Sequence, residues 1–418
     1  MPRIENPEAF RSARREDVAN KAEEVVASEL ARSSSLDPDA LAMIPSFSTS
    51  ELTFGRVVGR GGFCVVHELV AIKLKEKAKN KKSNFRLRGF ASHNAMDGTK
   101  PLDTTTREHL ARRVWSKSGK YVTKRMEPSL WETDRVSSLK GVIDLALEMH
   151  FLASLNHAHI IDLKGICDAS PFNEIGFFLI LDHLKETLSK RLTQWMHVKR
   201  TTKGITGFIT GSKAKVKKLL IDQLLVAHDI ANGMQYMHSK RIIFRDLKPD
   251  NVGFHREDDT VKLFDFGLAK ELQDSERDEN GLYRMTGVTG ALRYMAPEVG
   301  LRQPYNLSAD VYSWSMIMWY IMALEPPFGA YLPNMFFERV FQKGYRPAMK
   351  DKWSDPLKTL MKNSWSSDLS ERPSFEAIQK TLRDVAKSID PGIANFLAAD
   401  TASSNGKNSL KLNNSSHR

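Results

Sequence analysis

A carboxylate, a lysine and an asparagine lie within six residues of one another in the stretch Ile243–Asn251. They are Asp246, Lys248 and Asn251, and a second carboxylate, Asp265, follows fourteen residues after Asn251. A carboxylate can accept a hydroxyl proton, a lysine can neutralise a phosphate, and an asparagine with a second carboxylate can hold Mg²⁺. These residue types at this spacing predict a phosphoryl-transfer site.

The order of these residues resembles the catalytic loop and metal-binding turn of eukaryotic protein kinases. Asp265-Phe266-Gly267 follows the loop, and Ala296-Pro297-Glu298 stands where a kinase activation segment would close. The resemblance implies that Asp246 orients and deprotonates a substrate hydroxyl, while Lys248 stabilises charge on the moving phosphoryl group. It likewise implies Asn251 and Asp265 as the Mg²⁺ ligands.

Two alternatives stand beside this interpretation. The structural one is a polar turn between two buried strands, Arg241–Phe244 and Val261–Phe264. It is the weaker explanation, because nine consecutive positions and the following Asp-Phe-Gly all agree with the kinase pattern. The functional one is a pseudokinase that acts as a nucleotide-binding scaffold or allosteric partner. An active enzyme is favoured because a scaffold has no physical reason to retain all four chemical residues.

The chain between Leu52 and Val66 has the pattern of a strand, a glycine-rich turn and a second strand. Gly59, Gly61 and Val66 match the kinase glycine-rich loop, whereas Cys64 stands in place of its third glycine. Missing side chains let backbone N–H groups approach phosphates closely. The resemblance therefore implies ATP as the nucleotide at this loop.

Two lysines compete for the contact with the nucleotide phosphates. Lys73 ends Val70-Ala71-Ile72-Lys73, which is the spelling of the kinase strand that carries this lysine. For Lys73 to lie on a third strand, the chain would have to reverse through His67-Glu68-Leu69, which offers no turn residue. Lys124 follows a credible turn and precedes Glu148 by 24 residues, close to the kinase interval. We therefore predict one long second strand at residues 63–74, and Lys124 as the partner of Glu148.

A helix and a buried strand follow Lys124. Apolar residues from Val142 to Leu155 recur at helical spacing around Glu148. Phe177–Leu181 is a short apolar run typical of a buried strand. The resemblance implies that this strand leads into the hinge that binds adenine, with nucleotide contacts by Leu181, Asp182 and Leu184.

Composition indicates an ordinary globular protein. Its 418 residues suffice for one large two-lobed domain or two medium ones. Two cysteines, Cys64 and Cys167, cannot form a disulfide framework, and we find no apolar signal core. We therefore expect an intracellular protein of the cytoplasm or nucleus. The most apolar stretch, Val311–Leu324, is too short to span a membrane and predicts a buried helix.

The net charge of +12 is concentrated in a few segments. Lys190–Lys218 has nine lysines and arginines and no acid. Such runs are usually solvated faces, with docking of acidic partners as the alternative. They carry few interleaved aromatic residues, so nucleic-acid binding is not expected.

The resemblance covers about Leu52–Lys387 and implies an α+β, two-lobed kinase fold. The smaller lobe would be an antiparallel sheet with one helix, and the larger lobe would be mainly helical. We expect a flexible extension with a poorly anchored helix at 1–51 and a disordered tail at 390–418. The N-lobe would span 52–181, with a basic insertion at 75–115. The C-lobe would span 185–389, with a basic insertion at 194–217 that is followed by a helix at Leu219–Ser239.

Features of the larger lobe bear on catalysis and substrate. The resemblance implies that Asp310 braces the catalytic loop and that Arg372 pairs with Glu298. Ala291 stands where serine/threonine kinases have Thr or Ser. Lys248 favours protein substrates with Ser or Thr hydroxyls, and the spelling from Arg293 to Glu298 resembles the tyrosine-kinase-like group.

Arg245 precedes the expected catalytic base. It resembles the arginine with which many kinases hold a phosphorylated activation segment. The hydroxyl residues on that segment that could carry the phosphate are Ser275, Tyr283, Thr286 and Thr289.

Overall fold

The structure is a computed structural model that describes residues 10–37, 39–75, 104–116, 119–202 and 212–393. The described helices, in chain order, are α1 (Arg15–Arg32), α2 (Thr104–Ser116), α3 (Leu130–Thr133), α4 (Arg135–Ser154), α5 (Leu188–Thr202), α6 (Ser212–Ser239), α7 (Pro297–Gly300), α8 (Ser308–Ala323), α9 (Pro333–Met335), α10 (Asp355–Ser364) and α11 (Phe375–Ile389). A π-helical segment spans Phe336–Gln342. The described strands are β1 (Ser46–Phe47), β2 (Leu52–Arg60), β3 (Cys64–Ile72), β4 (Tyr121–Met126), β5 (Leu163–Cys167), β6 (Phe178–Asp182), β7 (Leu184–Thr187), β8 (Ile242–Ile243), β9 (Val252–His255), β10 (Val261–Leu263) and β11 (Lys270–Glu271).

The chain divides into two compact units. The first comprises the described residues up to Asn156, together with Ile161–His183 and Asp265–Gln273. The second comprises His157–Ile160, Leu184–Phe264 and the described residues from Asp274 onward. The first unit contains the larger sheet and the second is mainly helical, and the expected α+β class is confirmed.

Six strands form the sheet of the first unit, in the order β1-β5-β6-β4-β3-β2. β1 and β5 run parallel, and the other neighbours are antiparallel. All five residues of β6 are buried, as expected for a continuous apolar strand covered on both faces. α4 packs against β4 and β5 and carries Glu148 to this sheet.

The N-terminal helix is better anchored than the sequence suggests. Val18, Ala22, Val26 and Leu30 recur every four residues along α1 and are buried, and α1 packs against α4. This spacing puts the four side chains on one face of a helix. The prediction of a poorly anchored helix in a flexible extension is therefore wrong for α1, which belongs to the first unit.

The first basic insertion contains a helix that the sequence analysis missed. α2 lies inside the predicted loop at 75–115 except for its last residue, and its Leu110 and Val114 are buried. Arg107 Nη2 donates to both oxygens of the buried Glu51 carboxylate, at 2.9 and 2.7 Å. An apolar pair four residues apart and one buried ion pair are enough to dock this helix. Residues 76–103 of the insertion lie outside the described part.

The second unit is mainly helical. α8 is buried almost throughout, which confirms the predicted buried helix at Val311–Leu324, and α6 packs against α8, α11 and β10. β7, β9 and β10 form a small antiparallel sheet. In the described part of the chain, every helix is too short or too polar to cross a bilayer.

The second basic insertion is narrower than predicted. α5 continues to Thr202 and α6 begins at Ser212, ahead of the predicted start at Leu219. Helical structure therefore covers most of the expected loop at 194–217, because the lysines there are spaced among residues that a helix tolerates. Residues 203–211, and the predicted tail from 394 onward, lie outside the described residues.

Candidate active site

The glycine-rich turn connects β2 to β3 in the first unit. Gly59 pairs with Val66 across the hairpin, and the Gly61 N–H donates to the Cys64 carbonyl at 2.7 Å. A Cβ on Gly59 or Gly61 would come no closer than 3.9 or 3.7 Å to the nearest atoms, and one on Gly62 would meet nothing within 4 Å. The packing of the chain itself therefore does not require glycine at these positions.

The strand assignment predicted from turn chemistry is confirmed. Cys64 to Ile72 form one strand, β3, and Lys124 lies on the next strand of the sheet, β4, opposite Val66. Lys73 follows the end of β3, is exposed, and donates its backbone N–H to the Glu51 carbonyl at 2.7 Å. The kinase-like sequence motif therefore ends at Lys73, whereas the lysine that lies beside the carboxylates is Lys124.

Lys124 is shared by two carboxylates. Its Nζ lies 2.5 Å from Glu148 Oε2 and 2.8 Å from Asp265 Oδ1. Burial alone would lower the pKa of Lys124, but the charges of Asp265 and Glu148 outweigh it and raise the pKa well above its usual value. Lys124 is therefore held as a cation. Asp265 has a positive φ of 70°, and its side chain is 44% exposed.

A third carboxylate at this cluster was missed by the sequence analysis. Asp144 lies one helical turn before Glu148 on α4, and a Cβ at Gly267 would come within 3.0 Å of its Cβ. Burial foremost, with the nearby charges of Asp265 and Glu148, raises the pKa of Asp144 to about 7. The spacing of four residues from Glu148 was the available signal, because it puts both carboxylates on one helix face.

The predicted hinge spans the boundary between the two units. Leu181 and Asp182 end β6 in the first unit and are buried, whereas Leu184 begins β7 in the second. The Asp182 carboxylate lies 3.3 Å from Lys164 Nζ. The His183 N–H donates to the Lys120 carbonyl at 2.9 Å, so this amide is not available to bind adenine.

The catalytic loop of the second unit is held by Asp310. This carboxylate is fully buried; its two oxygens accept the backbone N–H groups of Phe244 at 2.8 Å and Arg245 at 2.9 Å. His238 Nε2 lies 3.0 Å from the same carboxylate. Arg245 has a φ of 67°, a left-handed conformation that costs energy unless its surroundings hold it. The predicted bracing role of Asp310 is confirmed.

Asp246 accepts hydrogen bonds from both residues that the motif puts beside it. Lys248 Nζ lies 2.6 Å and Asn251 Nδ2 3.0 Å from Asp246 Oδ2. Asn251 Nδ2 also donates to the Asp246 carbonyl at 2.9 Å. All three residues belong to the second unit, and the loop therefore fixes the carboxylate's orientation locally.

The backbone of the activation segment contacts the other oxygen of Asp246. The Ala291 N–H donates to Asp246 Oδ1 at 3.0 Å. A Cβ on Gly290 would lie 2.5 Å from the Arg245 carbonyl oxygen, and Gly290 has a φ of 91°. Glycine is therefore required here for the segment to approach the loop. A backbone amide supplies the hydrogen bond, in a position where the sequence analysis noted the absence of a Thr or Ser hydroxyl.

The expected ion pair that closes the activation segment is present. Arg372 binds Glu298 with both terminal nitrogens, at 2.6 and 3.0 Å, and both residues are buried. A bidentate guanidinium–carboxylate pair fixes geometry as well as charge. It fixes the end of the segment within the second unit.

The predicted metal ligands lie in different units, Asp265 in the first and Asn251 in the second. Among the residues that the structure describes, no three His, Cys, Asp or Glu side chains come together as a metal site. The roles assigned to the individual site residues stay predictions.

Comparison with known proteins identifies the family. The family described as protein tyrosine and serine/threonine kinase matches residues 133–382, more than half of the chain. The serine/threonine-protein kinase VIK of Arabidopsis thaliana is 33% identical over 271 residues, which cover 64% of this chain and 55% of the relative. The dual specificity protein kinase shkB of Dictyostelium discoideum is 28% identical over 259 residues, 62% of this chain and 35% of the relative.

Mitogen-activated protein kinase kinase kinase 13-A of Xenopus laevis is 29% identical over 231 residues, 55% of this chain and 21% of the relative. The chain spans about half the length of the first of these relatives and less of the other two. The matches confirm the resemblance to kinases of the serine/threonine type and agree with the tyrosine-kinase-like group. The chain belongs to the protein tyrosine and serine/threonine kinase family.

Proposed function

We propose that this chain is an active protein kinase that transfers the γ-phosphoryl group of Mg-ATP to Ser and Thr hydroxyls of protein substrates. The observation that carries the proposal is Lys124, whose Nζ lies 2.5 Å from Glu148 and 2.8 Å from Asp265. Lys124 and Glu148 are largely buried, and a buried ion pair is costly because both charges lose their hydration. This energetic cost has a functional reason if the Lys124 cation binds a phosphate of the bound nucleotide.

The glycine-rich turn fits a nucleotide. Gly59, Gly61 and Gly62 are not required by the packing of the chain, since added Cβ atoms would find room at each. Glycine at such positions leaves the backbone open to an approaching ligand. Val66 and Leu181 are the apolar residues that we expect beside the bound nucleotide, with Asp182 and Leu184 at the hinge.

Asp265 and Asn251 fit the donor set that Mg²⁺ prefers, since both offer oxygen. The Asn251 amide nitrogen already donates to Asp246, which leaves its carbonyl oxygen as the atom suited to a cation. Bound Mg²⁺ would supply neutralisation of the charge that develops on the phosphates. The protein's own part is to orient each group within its own unit, Asp265 and Lys124 in the first and Asn251 in the second.

Asp246 is the proposed base for the substrate hydroxyl. Its orientation is fixed by hydrogen bonds from Lys248, Asn251 and the Ala291 backbone. The Lys248 ammonium, 2.6 Å away, can also stabilise the transferred phosphoryl group. A lysine two residues after the base favours Ser and Thr over Tyr as acceptors.

Incubation of the purified full chain with isotopically labelled Mg-ATP and a generic acceptor protein tests this function. We expect label on phosphoserine and phosphothreonine after hydrolysis of the acceptor. The Asp246→Asn variant, purified in parallel, excludes a contaminating kinase. Nucleotide binding without any phosphoryl transfer would favour the pseudokinase scaffold. The protein substrates, the acidic partners and the intracellular location stay predictions.

A further inference from the structure

A buried carboxylate six residues after Asp265 is held by the N-terminal segment. Glu271 is 6% exposed. Its Oε1 accepts the Ser34 N–H at 3.1 Å and the Ser34 hydroxyl at 2.7 Å. Its Oε2 accepts the Ser35 N–H at 3.3 Å and the Ser33 hydroxyl. We call this set of four hydrogen bonds, made by Ser33–Ser35 to Glu271, the serine clasp.

The serine clasp is anchored on both sides within the first unit. On its N-terminal side α1 packs against α4. On its C-terminal side Leu36 is buried, and the Asp37 N–H donates to the hydroxyl of Ser154, the last residue of α4, at 3.0 Å. The clasp therefore joins the helix that carries Glu148 to the segment that begins with Asp265.

The donors of the clasp are neutral, although a buried carboxylate is costly without compensation. Burial would raise the pKa of Glu271, but the hydrogen bonds from Ser33 and Ser34 outweigh it and lower the pKa below its usual value. Glu271 is therefore an anion at neutral pH. Because the site is built for one negative charge, a second charge there would be repelled.

Ser34 is the residue through which a second charge could enter. It is exposed, although its hydroxyl reaches the buried carboxylate. A phosphate carries about −1.5 to −2 charges at neutral pH and offers acceptors only. On Ser34 it would replace a donated hydrogen bond by repulsion from a carboxylate at contact distance.

We propose that Ser34 is a phosphorylation site, and that a phosphate on it opens the serine clasp and lowers kinase activity. In the modification, Ser34 Oγ attacks the γ-phosphorus of ATP, the bond to the β-phosphate oxygen breaks, ADP leaves, and the modifying kinase accepts the hydroxyl proton. Asp37 and Asp39 follow Ser34, which suits a serine/threonine kinase that recognises acidic residues after its target. The effect on activity rests on the proposed function.

The opening has a defined consequence for the Lys124 cluster. Asp265 and Glu148 both bind Lys124. The clasp is one of the connections between the segment that begins with Asp265 and α4, which carries Glu148. Loss of the clasp frees the segment at 265–273 to move relative to α4. The ion pairs of Lys124 would then be populated for less of the time.

Hydrogen exchange on the full chain tests the switch without relying on activity. Phosphoserine is installed genetically at position 34, with phosphoserine at the exposed Ser28 of α1 as the matched control. We expect the amides of Ser34 and Ser35 and the 268–273 peptide to exchange about tenfold faster with phosphate on Ser34, the effect of losing a hydrogen bond to a charged group. Unchanged exchange would overturn the proposal, as would an equal increase with phosphate on Ser28.

A charge reversal at Glu271 provides a second, independent test. In Glu271→Arg the unmodified clasp should be open, and phosphoserine at position 34 should restore protection through a charge-assisted pair. If the arginine variant does not fold, Glu271→Gln serves instead, because removal of the carboxylate charge should reduce the effect of the phosphate. A phosphate effect of the same size and sign in these variants would contradict repulsion as the cause.

Two further measurements separate the parts of the proposal. Treatment of the full chain with Mg-ATP and an acid-directed serine/threonine kinase should phosphorylate Ser34, and the Ser34→Ala variant should not gain this phosphate. Absence of phosphate from Ser33–Ser35 in the parent would overturn the site. Phosphotransfer by the phosphoserine-34 protein should fall about tenfold. An inactive parent that still shows the exchange difference refutes the proposed function alone, whereas an active parent without that difference refutes the clasp.

Discussion

Two charged clusters, one in each unit, are assembled by different means. In the Lys124 cluster, the partners Glu148 and Asp265 lie 24 and 141 positions after the lysine in the sequence. The Asp246 cluster lies within six residues, with Lys248 two positions and Asn251 five positions after the base. The first depends on sheet register and helix packing, and the second depends on the local path of one loop.

Substitutions in the two clusters should therefore have different consequences. A change in the Asp246 loop alters the chemistry of one group and leaves the fold around it, because Asp310 still holds the backbone of Phe244 and Arg245. A change at Lys124 leaves the buried Glu148 carboxylate without its cation, which costs stability as well as function.

Removal of the base should have the largest effect. In Asp246→Asn the amide retains an acceptor oxygen but cannot take a proton, so turnover should fall by about 10²–10⁴-fold. Nucleotide affinity, measured by titration calorimetry, should change little because Lys124 and Asp265 are untouched. Turnover equal to that of the parent would exclude Asp246 as the base.

Replacement of Lys124 should be the next largest effect and should touch binding too. Lys124→Met should lower the transfer rate by about 10²–10³-fold, as loss of one preorganised charge does, and should weaken ATP binding. Lys73→Met is the matched control, since Lys73 is exposed and follows the end of β3. An active Lys124 variant beside an inactive Lys73 variant would reverse the assignment.

Phosphate on the activation segment should sharpen the Asp246 cluster more modestly. Arg245 Nη1 lies 3.2 Å from the Thr286 hydroxyl, so a phosphate there would gain a charge-assisted hydrogen bond. Phosphatase treatment should lower activity by about tenfold. Thr286→Ala, assayed in parallel, should be insensitive to the phosphatase. An undiminished rate after dephosphorylation verified by mass spectrometry would refute the switch.

The smallest expected effect concerns stability and pH at the Lys124 cluster. The pKa of Asp144 is raised from 3.8 to about 7 in the folded chain. The folded state therefore binds more protons than the unfolded state between these values, and stability should fall as pH rises through this window. Asp144→Asn should reduce the loss of melting temperature between about pH 5 and about pH 8. Parallel melting profiles for parent and variant would contradict this.

The sequence predicts the Asp246 cluster more readily than the Lys124 cluster. Asp246, Lys248 and Asn251 are neighbours in sequence, so their spelling carries their geometry. Lys124 could be separated from Lys73 only through turn chemistry, because the register of β3 and β4 is a long-range property. Asp144 and Glu271 escaped prediction, since their environments depend on which distant segments cover them.

The fold shows the same limit. The kinase order of elements and the buried helix at Val311–Leu324 were predictable from motifs and apolar runs. The docking of α1 and α2 was not, because a short amphipathic helix in a polar stretch gains its stability from the surface it covers. Five buried residues on α1 and the pair Arg107–Glu51 make the difference.

Labelling by a reactive nucleotide identifies which lysine lies beside the bound phosphates. An acyl-phosphate derivative of ATP transfers its acyl group to the lysine beside the bound phosphates, and mass spectrometry identifies that lysine. We predict acylation of Lys124 that excess ATP suppresses, and no ATP-sensitive acylation of Lys73. ATP-sensitive label on Lys73 with Lys124 unmodified would contradict the account.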